Sequence, residues 1–379
     1  MSAAKKKKSG KKAAARAKAG EKDLVLGLGA TGLSVARYLK RAGRDAAFLD
    51  SRDEPPGLEE LDELWPDADR ELGGTELPAG AGRVIVSPGI ADNDTLVEAA
   101  RDAGLEVISD VELFAREAKA PFVGVTGSNG KSTVTTLLYH MCRAAGHSAL
   151  AGGNLGEPAL DLLAEDEPDF YVLELSSFQL QRTPTLPAKV AVLLNVTPDH
   201  LDWHASEEEY RESKYRIFRE AESAVINRDD SESAERTSKI DRVISFGLDA
   251  PQDGHYGIRR EDDAAFLARG DSVLLGVSEL ALFGLHNQAN ALAALAAGEL
   301  LGLDLQPMLQ VLCEFPGLPH RMQFVRRVSA VNYVNDSKAT NVAAAIASIR
   351  SVDGMLVLIA GGEGKGGDFG ALAEPLENK

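Results

Sequence analysis

The sequence predicts the α/β class, in three domains, from three observations. From residue 23 onward, short apolar runs alternate with amphipathic stretches of helical period, the pattern of a parallel sheet with crossover helices. Two glycine-rich turns, at 27–32 and 126–133, each stand between such a strand and such a helix. The chain of 379 residues has room for two or three domains of ~100–200 residues, with 44% hydrophobic residues to fill their cores.

Ahead of the first strand lies a basic head. Residues 1–20 hold eight of the 41 Lys and Arg and none of the 58 Asp and Glu, so the net charge of −17 is −25 over the remaining 359 residues. The head has no aromatic or branched apolar residue and is expected to remain a solvated, unfolded tail. It lacks the apolar h-region of a secretory signal, and is rich in Lys and Ala rather than the Arg and Ser of a transit peptide. The acidic body argues against a nucleic-acid binder, whose whole domain is normally basic. The head alone leaves an RNA or anionic-lipid contact open. No apolar run reaches the ~18 residues of a bilayer-crossing helix, so no membrane span is expected. Cys142 and Cys313 offer no disulfide framework, and a reducing, cytoplasmic location follows as the expectation. The expected state is a monomer.

The first domain, expected over 21–109, reads as a strand at 23–29, a helix at 30–42 closed by Gly43, strands at 46–50 and 83–86, a helix at 94–103 and a strand at 106–108. The second, over 110–317, opens with a strand at 121–125 and a helix at 132–145. Buried strands at 170–174, 190–195 and 223–227 and an Ala/Leu-rich helix at 287–301 follow. The Pro/Gly-dense stretch 314–320 reads as a linker. The third domain, over 318–379, reads as a strand at 331–335, a helix at 342–350, a strand at 355–360 and a glycine loop. Two strands in about sixty residues fall short of a free-standing α/β domain of ~100–150 residues, so this domain is expected to be partial.

Chemistry concentrates at the loops. Gly27-x-Gly29-x-x-Gly32 lets a backbone approach a pyrophosphate at a helix N-terminus, and Asp50 ends the next strand where a ribose-binding acid belongs. By itself this motif reads as a dinucleotide site, or as a tight turn without a ligand. Thr126-Gly-Ser-Asn-Gly-Lys-Ser-Thr133 is the stronger signal. Its glycines and successive N–H groups form an anion nest, Lys131 reaches toward β/γ-phosphates, and the Ser132 hydroxyl suits Mg²⁺. Val125 stands where the general phosphate-loop pattern has its first glycine, so the spacing is the tighter G-x-x-G-K-S.

Glu174 ends one buried strand and His200 follows another, and ligands gather at the carboxyl ends of parallel strands. A carboxylate suits Mg²⁺; a lone histidine is as often structural. Lys214, on an amphipathic helix, reads by spacing as a surface lysine. Asp336 and Lys338 stand at a strand end and Lys365 in a glycine loop, with Arg321 upstream. Asp336 suits a ribose hydroxyl or an ordinary helix cap, and the lysines suit a carboxylate or phosphate.

Taken together, the chain from about residue 23 to its end resembles the Mur ligase family, and within it the D-glutamate-adding branch. The resemblance rests on the phosphate loop 126–133, Leu173-Glu-Leu-Ser-Ser-Phe-Gln-Leu180, Asn195-Val-Thr-Pro-Asp-His200, Gly284-Leu-His-Asn-Gln-Ala-Asn290 and Asn335-Asp-Ser-Lys-Ala-Thr-Asn341. It implies a Rossmann-like N-terminal domain, a central P-loop-type ATPase domain with a mostly parallel sheet, and a Rossmann-like C-terminal domain. It implies ATP-dependent amide-bond formation between UDP-N-acetylmuramoyl-L-alanine and D-glutamate through an acyl phosphate, in peptidoglycan precursor synthesis.

Carried onto this sequence, Gly29, Ala30, Thr31, Ser51, Arg52, Ser87, Pro88 and Gly89 would hold the uridine diphosphate, and Asn154 the muramoyl group. Gly127, Ser128, Asn129, Gly130, Lys131, Ser132 and Thr133, with Asn287, Asn290, Arg321 and Asp336, would hold ATP. Ser132, Glu174 and His200 would hold Mg²⁺, two ions in all, helped by Lys214 as an N6-carboxylysine. Lys338, Thr340 and Lys365 would face the reacting carboxylate and the incoming D-glutamate. The family's third domain runs beyond position 379, so UDP-sugar binding is expected to outlast ligation, and a UDP-sugar binder with reduced activity is the alternative. A nicotinamide-dependent dehydrogenase, resting on Gly27–Gly32 and Asp50, leaves Lys131, Glu174 and His200 without a role.

Overall fold

A computed structural model describes residues 22–197, 203–204, 206–352, 354–362, 364, 367–377 and 379. The basic head, His200 and Lys365 lie outside the described residues. The chain divides into two compact units between Glu117 and Ala118.

In the first unit, strands β1 (Lys22–Leu26), β2 (Ala46–Asp50), β3 (Asp69–Leu72), β4 (Ala81–Val86) and β5 (Glu106–Ile108) alternate with helices α1 (Ala30–Arg41), α2 (Leu58–Leu64), α3 (Thr95–Asp102) and α4 (Asp110–Glu117). The sheet runs β3-β2-β1-β4-β5, with every pair parallel. Because β1 is central, its run Asp-Leu-Val-Leu is buried on both faces. Leu24, Leu26, Leu49, Val84 and Val86 close one face against Leu96, Val97 and Ala100 of α3. From β1 the chain steps to β2 on one side and later to β4 on the other. This topological switch lies at the carboxyl end of β1, where open α/β sheets bind ligands.

The second unit holds strands β6 (Phe122–Thr126), β7 (Ala149–Gly153), β8 (Phe170–Glu174), β9 (Val190–Leu193), β10 (Ser223–Asn227), β11 (Arg242–Phe246), β12 (Tyr256–Glu261), β13 (Ala264–Arg269) and β14 (Ser272–Gly276). Among the described residues they form one sheet of nine strands ordered β14-β13-β12-β11-β10-β9-β6-β8-β7. The strands from β7 to β12 are parallel to their neighbours, and β12-β13-β14 continue as an antiparallel edge. Helices α5 (Lys131–Ala144), α6 (Ser177–Gln181), α7 (Glu207–Tyr215), α8 (Ser231–Arg236), α9 (Leu285–Leu301) and α10 (Leu305–Glu314) surround it. The Ala/Leu-rich α9 is buried along nearly its whole length and joins α5 and the sheet in a single core.

Beyond Phe315 the second unit continues as strands β15 (Gln323–Val328) and β16 (Val331–Asn335), then helices α11 (Val342–Ser351) and α12 (Ala373–Glu377). The two strands form an antiparallel hairpin. The strand expected at 355–360 does not form among the described residues: Met355, Val357 and Ile359 are 91%, 83% and 92% exposed and make no ladder. An apolar run becomes a strand only where a neighbour takes its N–H and C=O groups, and none pairs with this one. No helix among the described residues is long and apolar enough to cross a membrane.

Candidate active site

The phosphate loop leaves the centre of the second sheet. β6 lies between β8 and β9, in register Val125 with Glu174 and Thr126 with Leu193, so three carboxyl ends are brought side by side. α5 starts at Lys131 after Gly130. The N–H groups of its first turn have no intrahelical partner and face the loop, and the helix dipole adds to their attraction for anions. Gly130 has φ +87°, and a Cβ there would stand 2.3 Å from Asn290 Oδ1, so glycine is required on both counts. The Lys131 ammonium donates to the carbonyls of Gly127 at 2.9 Å and Ser128 at 3.0 Å, folded back over its own loop.

Glu174, 3% exposed, accepts from Asn154 Nδ2 at 2.7 Å through Oε1. Its Oε2 is buried with no hydrogen-bond partner among the described residues. A buried carboxylate oxygen left bare is costly, and a cation removes that cost. With the Ser132 hydroxyl it offers the hard oxygen donors that Mg²⁺ prefers, so these residues fit the ion. Asn154, expected at the substrate, also touches this acid. Among the described residues no group of three or more His, Cys, Asp and Glu gathers as a metal cluster.

Lys214 is not the surface lysine its spacing suggested. It is 2% exposed, donates to the Gly127 carbonyl at 2.9 Å and lies 4.6 Å from the ring centroid of Tyr210. α7 turns Tyr210, Ser213, Lys214 and Tyr215 inward, and its sequence periodicity alone did not show which face would be covered.

A cavity of about 140 Å³ opens beside the phosphate loop. Asn129, Gly130, Thr133, Asn287, Asn290, Arg321 and Asp336 line it, seven of the residues expected at ATP. Asn290 Nδ2 donates to Asn287 Oδ1 at 3.2 Å, which fixes one amide by the other. Asp336 accepts from the Met322 N–H at 2.9 Å and the Ser348 hydroxyl at 2.5 Å. It does not cap α11: Asn341 does, accepting from Ala344 N–H. Lys338 and Thr340 stand exposed in the same loop and do not line the cavity. Sequence reasoning missed Asn195, Asn227, Phe246 and His286 as further lining residues. The positions of Asn195, Asn227 and Phe246, at or just past the ends of parallel strands, were the available signal. Burial, with the Arg321 guanidinium adding to it against Asp336, holds the His286 imidazole below its usual range.

In the first unit, the glycine turn sits at the switch point. A Cβ on Gly32 would fall 2.0 Å from the Gly27 carbonyl oxygen, so helix and strand approach as closely as the motif implies. Ser87 of the Ser-Pro-Gly turn donates its hydroxyl to that carbonyl at 3.0 Å, joining two of the segments expected to hold a diphosphate. Ala30 and Thr31 open α1, while Ser51 and Arg52 follow β2. Asp50, 3% exposed, does not present a ribose-binding carboxylate. It accepts from the Leu28 N–H at 2.7 Å and takes the Arg52 side chain at 2.8 and 2.7 Å. The dehydrogenase reading loses its acid.

Fold and site thus define a phosphate-loop nucleotide-binding protein with a separate Rossmann-like module. Residues 125–298 match the Mur ligase middle domain, and residues 21–109 match the N-terminal domain described as Mur ligase MurD-like. The UDP-N-acetylmuramoylalanine--D-glutamate ligase of Nitrosococcus oceani is 49% identical over 357 residues, covering 93% of this chain and 79% of that protein. The corresponding ligase of Legionella pneumophila strain Paris is 47% identical over 362 residues, covering 93% and 81%. In fold, the chain is similar to UDP-N-acetylmuramate-alanine ligase MurC from Thermotoga maritima, with TM-score 0.54, 22% identity and coverage of 87% and 76%. The chain belongs to the Mur ligase family, in the branch of the D-glutamate ligases.

Proposed function

We propose that the protein is an ATP-dependent ligase joining D-glutamate to UDP-N-acetylmuramoyl-L-alanine, in cytoplasmic peptidoglycan precursor synthesis. One observation carries the reading. At the carboxyl ends of β6, β8 and β9, a phosphate loop meets a buried acid with a bare oxygen and a buried lysine, in a chain 46–49% identical to such ligases.

A carboxylate is a poor acyl donor. Moving the γ-phosphoryl group of ATP onto the substrate carboxylate makes an acyl phosphate and ADP. The neutral amine of D-glutamate then attacks the acyl carbon, and phosphate leaves from the tetrahedral intermediate. Most of the acceleration in phosphoryl transfer comes from positioning and from cations around the transferring oxygens. The first-turn N–H groups of α5 hold the phosphates. Lys131 exchanges its carbonyl partners for phosphate oxygens, since charge-assisted bonds are the stronger. The cavity beside the loop takes the nucleoside, with Asn287, Asn290, Arg321 and Asp336 around it. Ser132, Glu174 and His200 hold Mg²⁺ as two ions, and Lys214 contributes as an N6-carboxylysine. Bound Mg²⁺ supplies charge neutralisation on the phosphates. Gly29, Ala30, Thr31, Ser51, Arg52 and the 87–89 turn bind the uridine diphosphate, with Asn154 on the muramoyl side. Lys338, Thr340 and Lys365 orient the carboxylate and D-glutamate. These roles divide among modules at 21–109, 110–317 and 318–379, acting in a monomer.

Phosphate release tests this. It is expected only when UDP-N-acetylmuramoyl-L-alanine, D-glutamate, ATP and Mg²⁺ are all present. Lys131→Ala is expected to lower the rate about a hundredfold or more. A Lys131→Ala variant as fast as the wild type would contradict the assignment.

A further inference from the structure

Two residues of the phosphate loop have polar groups engaged within the protein. The Ser128 N–H donates to the Asn195 carbonyl and the Asn129 N–H to Asn195 Oδ1, each at 2.9 Å. The Ser128 hydroxyl donates to the Thr197 carbonyl and accepts the Thr197 N–H, again at 2.9 Å. A hydroxyl has one hydrogen and two acceptor sites. With that hydrogen on Thr197, the remaining contact, to the Tyr210 hydroxyl at 2.7 Å, has Tyr210 as donor. Ser128 is therefore saturated by protein groups, and serves the loop as an anchor rather than as a phosphate ligand.

Tyr210 is 1% exposed and lies one helical turn before Lys214, on the same face of α7. Its ring centroid lies 4.6 Å from Lys214 Nζ, and that nitrogen donates to the carbonyl of Gly127, next to Ser128. One side chain thus touches the phosphate loop by its hydroxyl and the buried lysine by its ring. The segment 195–197 is tied in through the same serine.

We propose that Tyr210 is a positioning residue for phosphoryl transfer. Its hydroxyl clamps the phosphate loop at Ser128 while its ring backs Lys214, so that loop, 195–197 segment and α7 keep one spacing when phosphates arrive. The inference rests on the nucleotide reading of the loop given above. Tyr210 does not line the cavity beside the phosphate loop. Its loss therefore acts on turnover, which depends on the spacing of reacting groups, more than on nucleotide affinity, which the helix N-terminus and the cavity supply. A tyrosine that merely filled the core would affect stability and leave that balance alone.

The test uses the full chain with Tyr210→Phe, which keeps the ring and removes only the hydroxyl. The expected result is a kcat about tenfold lower, a KM for ATP within about threefold of wild type, and a melting temperature lowered by only about 2–4 °C. Amide hydrogen exchange at 126–130 and 195–197 is expected to quicken severalfold. Ser128→Ala removes the same bond from the other side, and the double variant is expected to be no slower than the slower single one. With an active wild type, an unchanged kcat in Tyr210→Phe overturns the proposal. Should the wild type release no phosphate with D-glutamate, the ligase reading fails and exchange alone decides: quicker exchange in the loop supports the clamp, and unchanged exchange overturns it.

Discussion

Asp50 shows how a residue can stand in the expected place and do a different task. Burial raises the cost of its charge, but the Arg52 side chain and the N–H groups of Leu28 and Arg52 outweigh that, and its carboxyl lies at about 2 against an ordinary 3.8. A folded value below the unfolded one means that the ion stabilises the folded state above about pH 4, and that this contribution is lost as the pH falls toward 2. Acid titration of circular dichroism is expected to show the wild type losing stability relative to Asp50→Asn across that window. Parallel curves would contradict the assignment. Position along the chain was legible here; the direction in which the carboxylate faces was not, because its partner Arg52 lies only two residues on and nothing in the spacing favours it over a ligand. Lys214 and Tyr210 teach the same lesson. Their shared helix face was legible, whereas its burial under the phosphate loop depends on β6 and β9 converging from distant parts of the chain.

At the scale of elements, most of the strands whose extents were read correctly lie in parallel ladders. The runs at 46–50, 106–108, 170–174, 223–227 and 331–335 have the extents expected of them. Four of these lie in parallel ladders, where a continuous apolar run is itself the signal. The antiparallel edge β12-β13-β14 gave no such run because its residues are half exposed. The segment 355–360 had the run without the ladder. Among the loops, the glycine pattern at 126–133 was decisive because geometry demands it. Gly130→Ala would place a side chain at φ +87°, costing roughly 1–2 kcal/mol, and push Asn290 away from the cavity. Calorimetry is expected to show a melting point lower by about 2–8 °C and weakened ATP binding. Wild-type values for both would contradict the close approach.

Over the whole molecule, the acidity that argues against nucleic acid does not argue against anionic small substrates. The chain's −17 coexists with cations gathered locally, Lys131 at the phosphate loop and Arg321 at the cavity beside it. The parallel sheets and the phosphate loop were legible from alternation and glycine spacing, whereas the three domains expected at 21–109, 110–317 and 318–379 stand beside two compact units divided between Glu117 and Ala118. The cavity was not legible, since its lining comes from the phosphate loop, β10, β11, α9 and the segment around Asp336, which only folding assembles. The chain spans about four-fifths of the length of the relatives it matches. The most direct measurement of what it does is the mass of the product formed from UDP-N-acetylmuramoyl-L-alanine, ATP and Mg²⁺ with D- or L-glutamate. The expected product is heavier by one glutamyl residue, appears with the D enantiomer alone, and is accompanied by one ADP per amide bond. No glutamyl product with either enantiomer, or a product made without ATP cleavage, would contradict the assignment.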